Sequence, residues 1–350
     1  MRRSRCIDRR CVVLFCALML ASCAPVYRGQ IDASSSGTIL WPGPPEKPRI
    51  KYLWSLHNLA AGNEKERNLM DVVSGKTRED VSDPQTSYTL QRPQGVYVDE
   101  KRYYIADPGA ARVTLVDRDT MDVLQITEAG GESLQYPISV VSGPDGRIYV
   151  SDPESKKVFI YSKNGKYLSF FEGDIERPTG MAIDKQRGIV YVVDTLGHNV
   201  YKYSLDGKRI GSFGRRGEGD GEFNFPSYVF VDGKGSVYIT DFLNFRIQIF
   251  SPEGRFEGKF GILGDSFDSL DKPKGVAVDR EGHIYIVDAG RDMVKIFRRD
   301  GKLLLFFGET GHKHGDFYLP TGLFVDDKDV IYVADTVNAR IQAFQFLGGD

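Results

Sequence analysis

Cysteine is scarce: the 350 residues hold four, at Cys6, Cys11, Cys16 and Cys23. None follows position 23, so no disulfide braces the body of the chain, and its fold must stand on packing. Tryptophan is scarcer still, with Trp41 and Trp54 alone. Long apolar runs are missing too. The stretch from Cys11 to Leu20 is ten residues, about half of what a membrane-spanning helix needs. Positive charge is not in excess, since 46 Lys and Arg face 48 Asp and Glu. That excludes the clustered basic surface that nucleic acid requires. There is no nucleophile elbow, phosphate loop or paired-histidine motif, so neither an organic cofactor nor a catalytic set is expected.

What is present starts with a basic head, Arg2, Arg3, Arg5, Arg9 and Arg10, followed by the short apolar run. This is the pattern of an export signal over residues 1–22. The run ends in Leu20-Ala21-Ser22-Cys23, which resembles the lipobox of bacterial lipoproteins. The resemblance implies cleavage before Cys23, acylation of its thiol and a durable membrane anchor, because more than one acyl chain is attached. Residues 1–22 carry five arginines and Asp8, or +4, so removing them takes the net charge from −2 to −6. Ala24, rather than aspartate, follows the cysteine. The same resemblance then implies the outer membrane, facing the periplasm, in a host with two membranes, and the cell surface otherwise. Residues 23–48, rich in Pro, Gly and Ser, read as a tether. Residues 49–56 read as a lone strand, and 57–89 as a polar insertion.

The rest is repetitive. Tyr103-Tyr104-Ile105-Ala106-Asp107 recurs as Ile148 to Asp152, Val190 to Asp194, Val237 to Asp241, Ile284 to Asp288 and Ile331 to Asp335. A period near 45 residues, with up to four short β-type runs per unit and an Asn-Gly, Asp-Gly or Glu-Gly turn in four of the units, predicts propeller blades. Each unit opens with a proline: Pro93, Pro137, Pro178, Pro226, Pro273 and Pro320. The last unit stops without a fourth strand, and residues 49–56 offer one. The expected fold is all-β: a six-bladed propeller of four-stranded antiparallel blades over 49–347, with the N-terminal strand completing the last blade.

The units lack the Gly-His and Trp-Asp marks of WD40 blades. Pro320-Thr321-Gly322-Leu323-Phe324-Val325-Asp326, Ile331 to Asp335 and Asn338-Ala339-Arg340-Ile341 instead resemble the NHL repeat family. The resemblance covers residues 90–347. It implies a propeller, and a scaffold that hosts both binding proteins and enzymes.

The strand-ending aspartates Asp107, Asp152, Asp194, Asp241, Asp288 and Asp335 are read as turn caps. Each is expected to pair with the residue five positions on, which is Arg112, Lys157, Arg246 or Arg340 in four units. Binding is expected on the face that carries these turns, where loops sit on a rigid frame. Departures from the repeat mark it. Ser139 and Tyr228 stand where other units have the glycine of Pro-x-Gly, and Phe242 and Phe245 lie in the second loop of unit four. With His198, Arg215 and Arg216 they form the candidate binding face, centred on an exposed aromatic patch. The loop His312-Lys313-His314-Gly315-Asp316 is a weak metal candidate through His312, His314 and Asp316.

These features favour a lipid-anchored, non-catalytic binding scaffold outside the cytoplasmic membrane, with another envelope protein or a peptide as partner. The alternative implied by the resemblance is a metal-dependent hydrolase or lyase of the lactonase or peptidyl-hydroxyglycine amidating-lyase type. Against it, His198 and His283 fall on opposite faces. A third reading is carbohydrate binding at the aromatic mouth.

Overall fold

The computed structural model describes residues 27–33, 38–61 and 88–348. The signal peptide, Cys23 and most of the polar insertion lie outside the described residues. Within them the repeats form six antiparallel blades. Blade 5 is typical: Pro273–Val278, Ile284–Asp288, Met293–Phe297 and Leu303–Phe307 pair in that order. The innermost strands are Gly95–Val98, Ser139–Ser142, Pro178–Asp184, Pro226–Val231, Pro273–Val278 and Pro320–Val325. Each touches the next, and the sixth touches the first, so they close a ring around a central channel.

The residue types follow from depth. Second strands are covered on both sides by neighbouring blades, and Ile284–Asp288 is buried throughout; such strands read as continuous apolar runs. Fourth strands lie at the rim. Leu303–Phe307 accordingly alternates between partly buried and exposed residues and ends in the buried Phe307. Close packing of the innermost strands explains the Pro-x-Gly glycines. A Cβ on Gly180 would sit 2.6 Å from the Ser227 carbonyl oxygen, and one on Gly275 would sit 2.6 Å from the Leu323 nitrogen. These glycines serve the approach of blade to blade, rather than an opening at the channel mouth.

The strand-ending aspartates fasten each blade to the loop that enters it. Asp107 accepts Gln91 N–H and Arg92 N–H at 2.9 and 2.8 Å. Asp152 and Asp194 each hold two such amides, and Asp241, Asp288 and Asp335 hold loop amides likewise. Arg112, Arg246 and Arg340 approach their aspartates at 3.6, 2.7 and 2.8 Å. Lys157 does not pair with Asp152. Its ammonium sits over the Phe170 ring, 4.6 Å from the centroid. In blade 5 the cation comes two residues later than expected: buried Lys295 lies 2.7 Å from Asp288. All six aspartates are buried, and the hydrogen bonds that hold them compensate the cost of burial.

The ring closes as expected, and with more chain than expected. β1 spans Tyr27–Asp32, β2 spans Leu40–Trp41, and β3 spans Ile50–Ala61. β3 pairs with Arg340–Phe346, from Ile341 opposite Leu56 to Phe346 opposite Ile50, and so supplies the fourth strand of blade 6. It runs five residues beyond the expected 49–56, into the stretch read as an insertion. β1 and β2 correct the reading of 23–48 as a plain tether. β1 pairs with β3 along Tyr27–Asp32 and touches the fourth strand of blade 1 through Tyr27 opposite Val123 and Arg28 opposite Asp122. Blades 6 and 1 are thereby joined at the rim in one continuous sheet, leaving no open edge there.

Candidate functional site

The channel has two unequal ends, and Tyr228 borders both. The wide end encloses about 1710 Å³. It is reached past the turns between first and second strands. The narrow end encloses about 270 Å³ and opens on the face with the strand-ending aspartates. Tyr228 takes the place held by glycine in blades 1, 3, 5 and 6. Its side chain projects into the channel, where it meets Thr321 of blade 6 in the lining of the narrow end. Burial raises its pKa and keeps it neutral. Tyr228 thus stands between the two cavities.

At the wide end the charged groups belong to turns. Asp99, Asp232, Asp279 and Asp326 accept the hydroxyls of Tyr104, Tyr238, Tyr285 and Tyr332 at 2.8, 3.1, 2.9 and 3.0 Å. These are tyrosines of the recurring motif. Burial raises the pKa of each, so each stays a hydrogen-bond donor.

The narrow end is lined by the residue after each opening proline, one per blade: Gln94, Ile138, Thr179, Ser227, Lys274 and Thr321. Phe225, Phe242 and Leu243 add an apolar wall. Most of the polar groups are already used in joining blades. Thr179 and Thr195 share a hydrogen bond of 2.8 Å, and the Thr195 hydroxyl donates to the Pro226 carbonyl at 2.7 Å. Thr321 and Thr336 repeat this across the seam, with Thr336 donating to the Pro93 carbonyl at 2.8 Å. Two groups remain. The Ser227 hydroxyl is buried and has no hydrogen-bond partner. Lys274 is half-buried, and its ammonium lies 4.0 Å from the centroid of the Phe242 ring. Among the described residues no carboxylate pairs with it. Its backbone is fixed by the Thr240 hydroxyl, which donates to the Lys274 carbonyl at 2.7 Å. Desolvation, and then the nearby Lys272, lower its pKa below the ordinary lysine value.

The residues singled out in the sequence divide. Tyr228 and Phe242 meet at the narrow end. Phe245 lines neither cavity; it closes a short 3-10 turn over Phe242–Asn244 with φ of 52°. The expected exposed aromatic patch is therefore a recessed pocket. The Ser139 hydroxyl accepts Met181 N–H at 3.2 Å and joins blades 2 and 3. His198 is buried, with Nδ1 accepting Phe225 N–H at 3.2 Å, and supports the pocket wall from behind. Arg215 pairs with Glu222 at 2.8 Å on an exposed loop, and Arg216 is exposed beside it. Reading by repeat missed Lys274 and Ser227. Both occupy the variable position of Pro-x, where no one residue type is common to all six blades and only one residue is charged.

The residues do not fit a resident metal. Among the described residues no three His, Cys, Asp or Glu side chains gather to hold an ion. His312 turns to Asn338 and His314 to Tyr52, while Asp316 caps Lys313 N–H. That loop is a folded turn whose side chains point to separate partners.

Comparison with known proteins agrees on architecture. A family model described as SMP-30/Gluconolactonase/LRE-like region matches residues 77–262, and one for the NHL repeat matches residues 317–344. No curated protein matches the sequence. Among solved structures, virginiamycin B lyase from Staphylococcus aureus is similar at a TM-score of 0.54 and 13% identity, over 73% of this chain and 96% of that one. A streptogramin B lyase structure gives 0.55 and 12%, over 73% and 94%. An auxiliary nutrient binding protein from Bacteroides thetaiotaomicron gives 0.58 and 13%, over 76% and 74%. At these identities the likeness is one of fold.

Proposed function

We propose that this chain, which belongs to the SMP-30/gluconolactonase/LRE-like family, is a non-catalytic binding propeller that receives a ligand at the narrow end of its channel. The observation that carries this is the placement of Tyr228, which makes a short pocket out of what would be an open bore. The pocket draws one residue from every blade, so the closed ring holds its lining in place. Its size suits a small molecule or a short chain end rather than a protein surface. The nutrient-binding neighbour supports a binding role for this architecture.

The test is a fragment screen followed by threonine-methyl NMR on the whole domain. Ligands should shift the methyls of Thr179, Thr195 and Thr321, and Tyr228→Ala should weaken them about tenfold by removing the stop they rest against. Ligands that shift only residues of the wide end would overturn the reading.

A metal-dependent hydrolase or lyase is the second reading, and the family match favours it. Elemental analysis of the purified protein separates the two. Sub-stoichiometric zinc and calcium are expected, and one firmly held ion per chain would reverse the assignment. Where the protein works is part of the same proposal: exported, held to a membrane by lipid on Cys23, and in reach of other envelope proteins. Feeding cells a labelled fatty acid should mark the wild type and leave Cys23→Ser unmarked. Equal labelling of both would defeat it.

A further inference from the structure

We propose that the narrow end is an anion site, in which Lys274 takes the carboxylate of a small free acid with an aromatic or branched apolar body. The inference rests on the binding role proposed above and names its ligand class.

Three observations carry it. First, the ring of six positions is chemically lopsided. Gln94, Ile138, Thr179, Ser227 and Thr321 are uncharged, and Lys274 supplies a single positive charge. Second, that charge has been taken partly out of water without a counter-charge. The partner it has is the Phe242 ring at 4.0 Å. A ring face offers an ammonium only part of what a carboxylate gives, and an unpaired cation in such a place is costly. The lysines and arginines buried beside the strand-ending aspartates show the contrast. Lys295, Arg246 and Arg340 lie within 2.8 Å of a carboxylate. This fold therefore supplies partners where a cation serves packing, and supplies none where the cation faces the cavity. Third, Ser227 lines the same cavity from the neighbouring blade, and its hydroxyl, buried away from the opening, has no partner to hold it there. A turn about χ1 would bring it to the cavity as a second donor for a bound oxygen.

The remaining lining selects the body of the ligand. Ile138, Phe225, Phe242 and Leu243 are apolar, and the threonine hydroxyls are engaged with one another and with backbone carbonyls. A sugar would find few free partners. A phosphate dianion would find one cation in a largely apolar wall, where several donors are the usual requirement. The volume, about 270 Å³, corresponds to roughly nine waters at ~30 Å³ each. That fits one ring or a branched chain with its carboxylate.

The probes are phenylacetate, its neutral amide and phenylphosphonate, titrated into the wild type, Lys274→Met and Ser227→Ala, read by calorimetry and by the same threonine methyls. Phenylacetate should bind the wild type at least about tenfold more tightly than the amide, as one charge-assisted hydrogen bond implies. Lys274→Met should bring the two together, and Ser227→Ala should weaken phenylacetate by a few-fold. Amide and acid binding alike at these methyls would overturn the anion site and leave the pocket standing. No probe shifting these methyls would overturn the pocket as well. Phenylphosphonate binding more tightly than phenylacetate would overturn the carboxylate assignment. Thermal melts of each variant show whether it is folded, and Lys274→Arg, which keeps the charge, should retain preference for the acid.

Discussion

The two ends of the channel are built from the same six strands and behave as opposites. At the wide end one arrangement is written over and over: an aspartate closes the first strand, holds its own turn, and in four blades takes a tyrosine hydroxyl from the second. At the narrow end no two neighbouring blades present the same residue, and one of them inserts Tyr228 where a glycine is usual. The difference teaches where to look in a repeat protein. What recurs maintains the frame, because every blade faces the same packing problem. What departs from the pattern faces no such shared requirement, and is free to address something that is not part of the chain.

That contrast can be broken by substitution. Asp279→Ala at the wide end should cost most, about 3 kcal/mol. It strips the Tyr285 hydroxyl and the Glu281 and His283 amides of their acceptor at once. A urea titration would show it as a lower midpoint. Tyr228→Ala should cost about 2 kcal/mol by the same measurement, as a large half-buried side chain leaves a void that water from both ends can fill. A crystal structure of that variant should show one continuous bore. Tyr285→Phe should cost about 1 kcal/mol, one hydrogen bond. Lys274→Met should cost nothing measurable or raise the melting temperature slightly, since it removes a desolvated charge without an acid partner. A large loss of stability in Lys274→Met would assign that residue to the frame and erase the distinction between the two ends.

The same distinction explains what could be read from the chain before its fold was known. Six copies of one motif give the blades, their strand order and the closing role of residues 49–56, because each copy repeats the others' evidence. β1 was not legible. Tyr27-Arg28-Gly29-Gln30-Ile31-Asp32 has little β-type pattern of its own, and it is a strand because the unpaired edge of β3 and the rim of blade 1 both offer it hydrogen bonds. Tyr228 was legible as a departure that projects at the channel mouth. That it divides the channel into two cavities was not, because the division exists only once the six innermost strands close around it. Lys274 was passed over because one lysine among variable residues carries no signal until the ring closes and the other five positions come round to meet it.

β1 also bears on how the protein is held. Tyr27 is already paired with both the last blade's added strand and the first blade. If Cys23 is the lipidated residue, four residues separate the fatty acid from the body, a leash of at most about 14 Å when drawn straight. The disc would then ride close to the bilayer with its seam turned toward the headgroups, like a wheel resting on its tread. Both ends of its axle would stay clear of the lipid and open to whatever diffuses past.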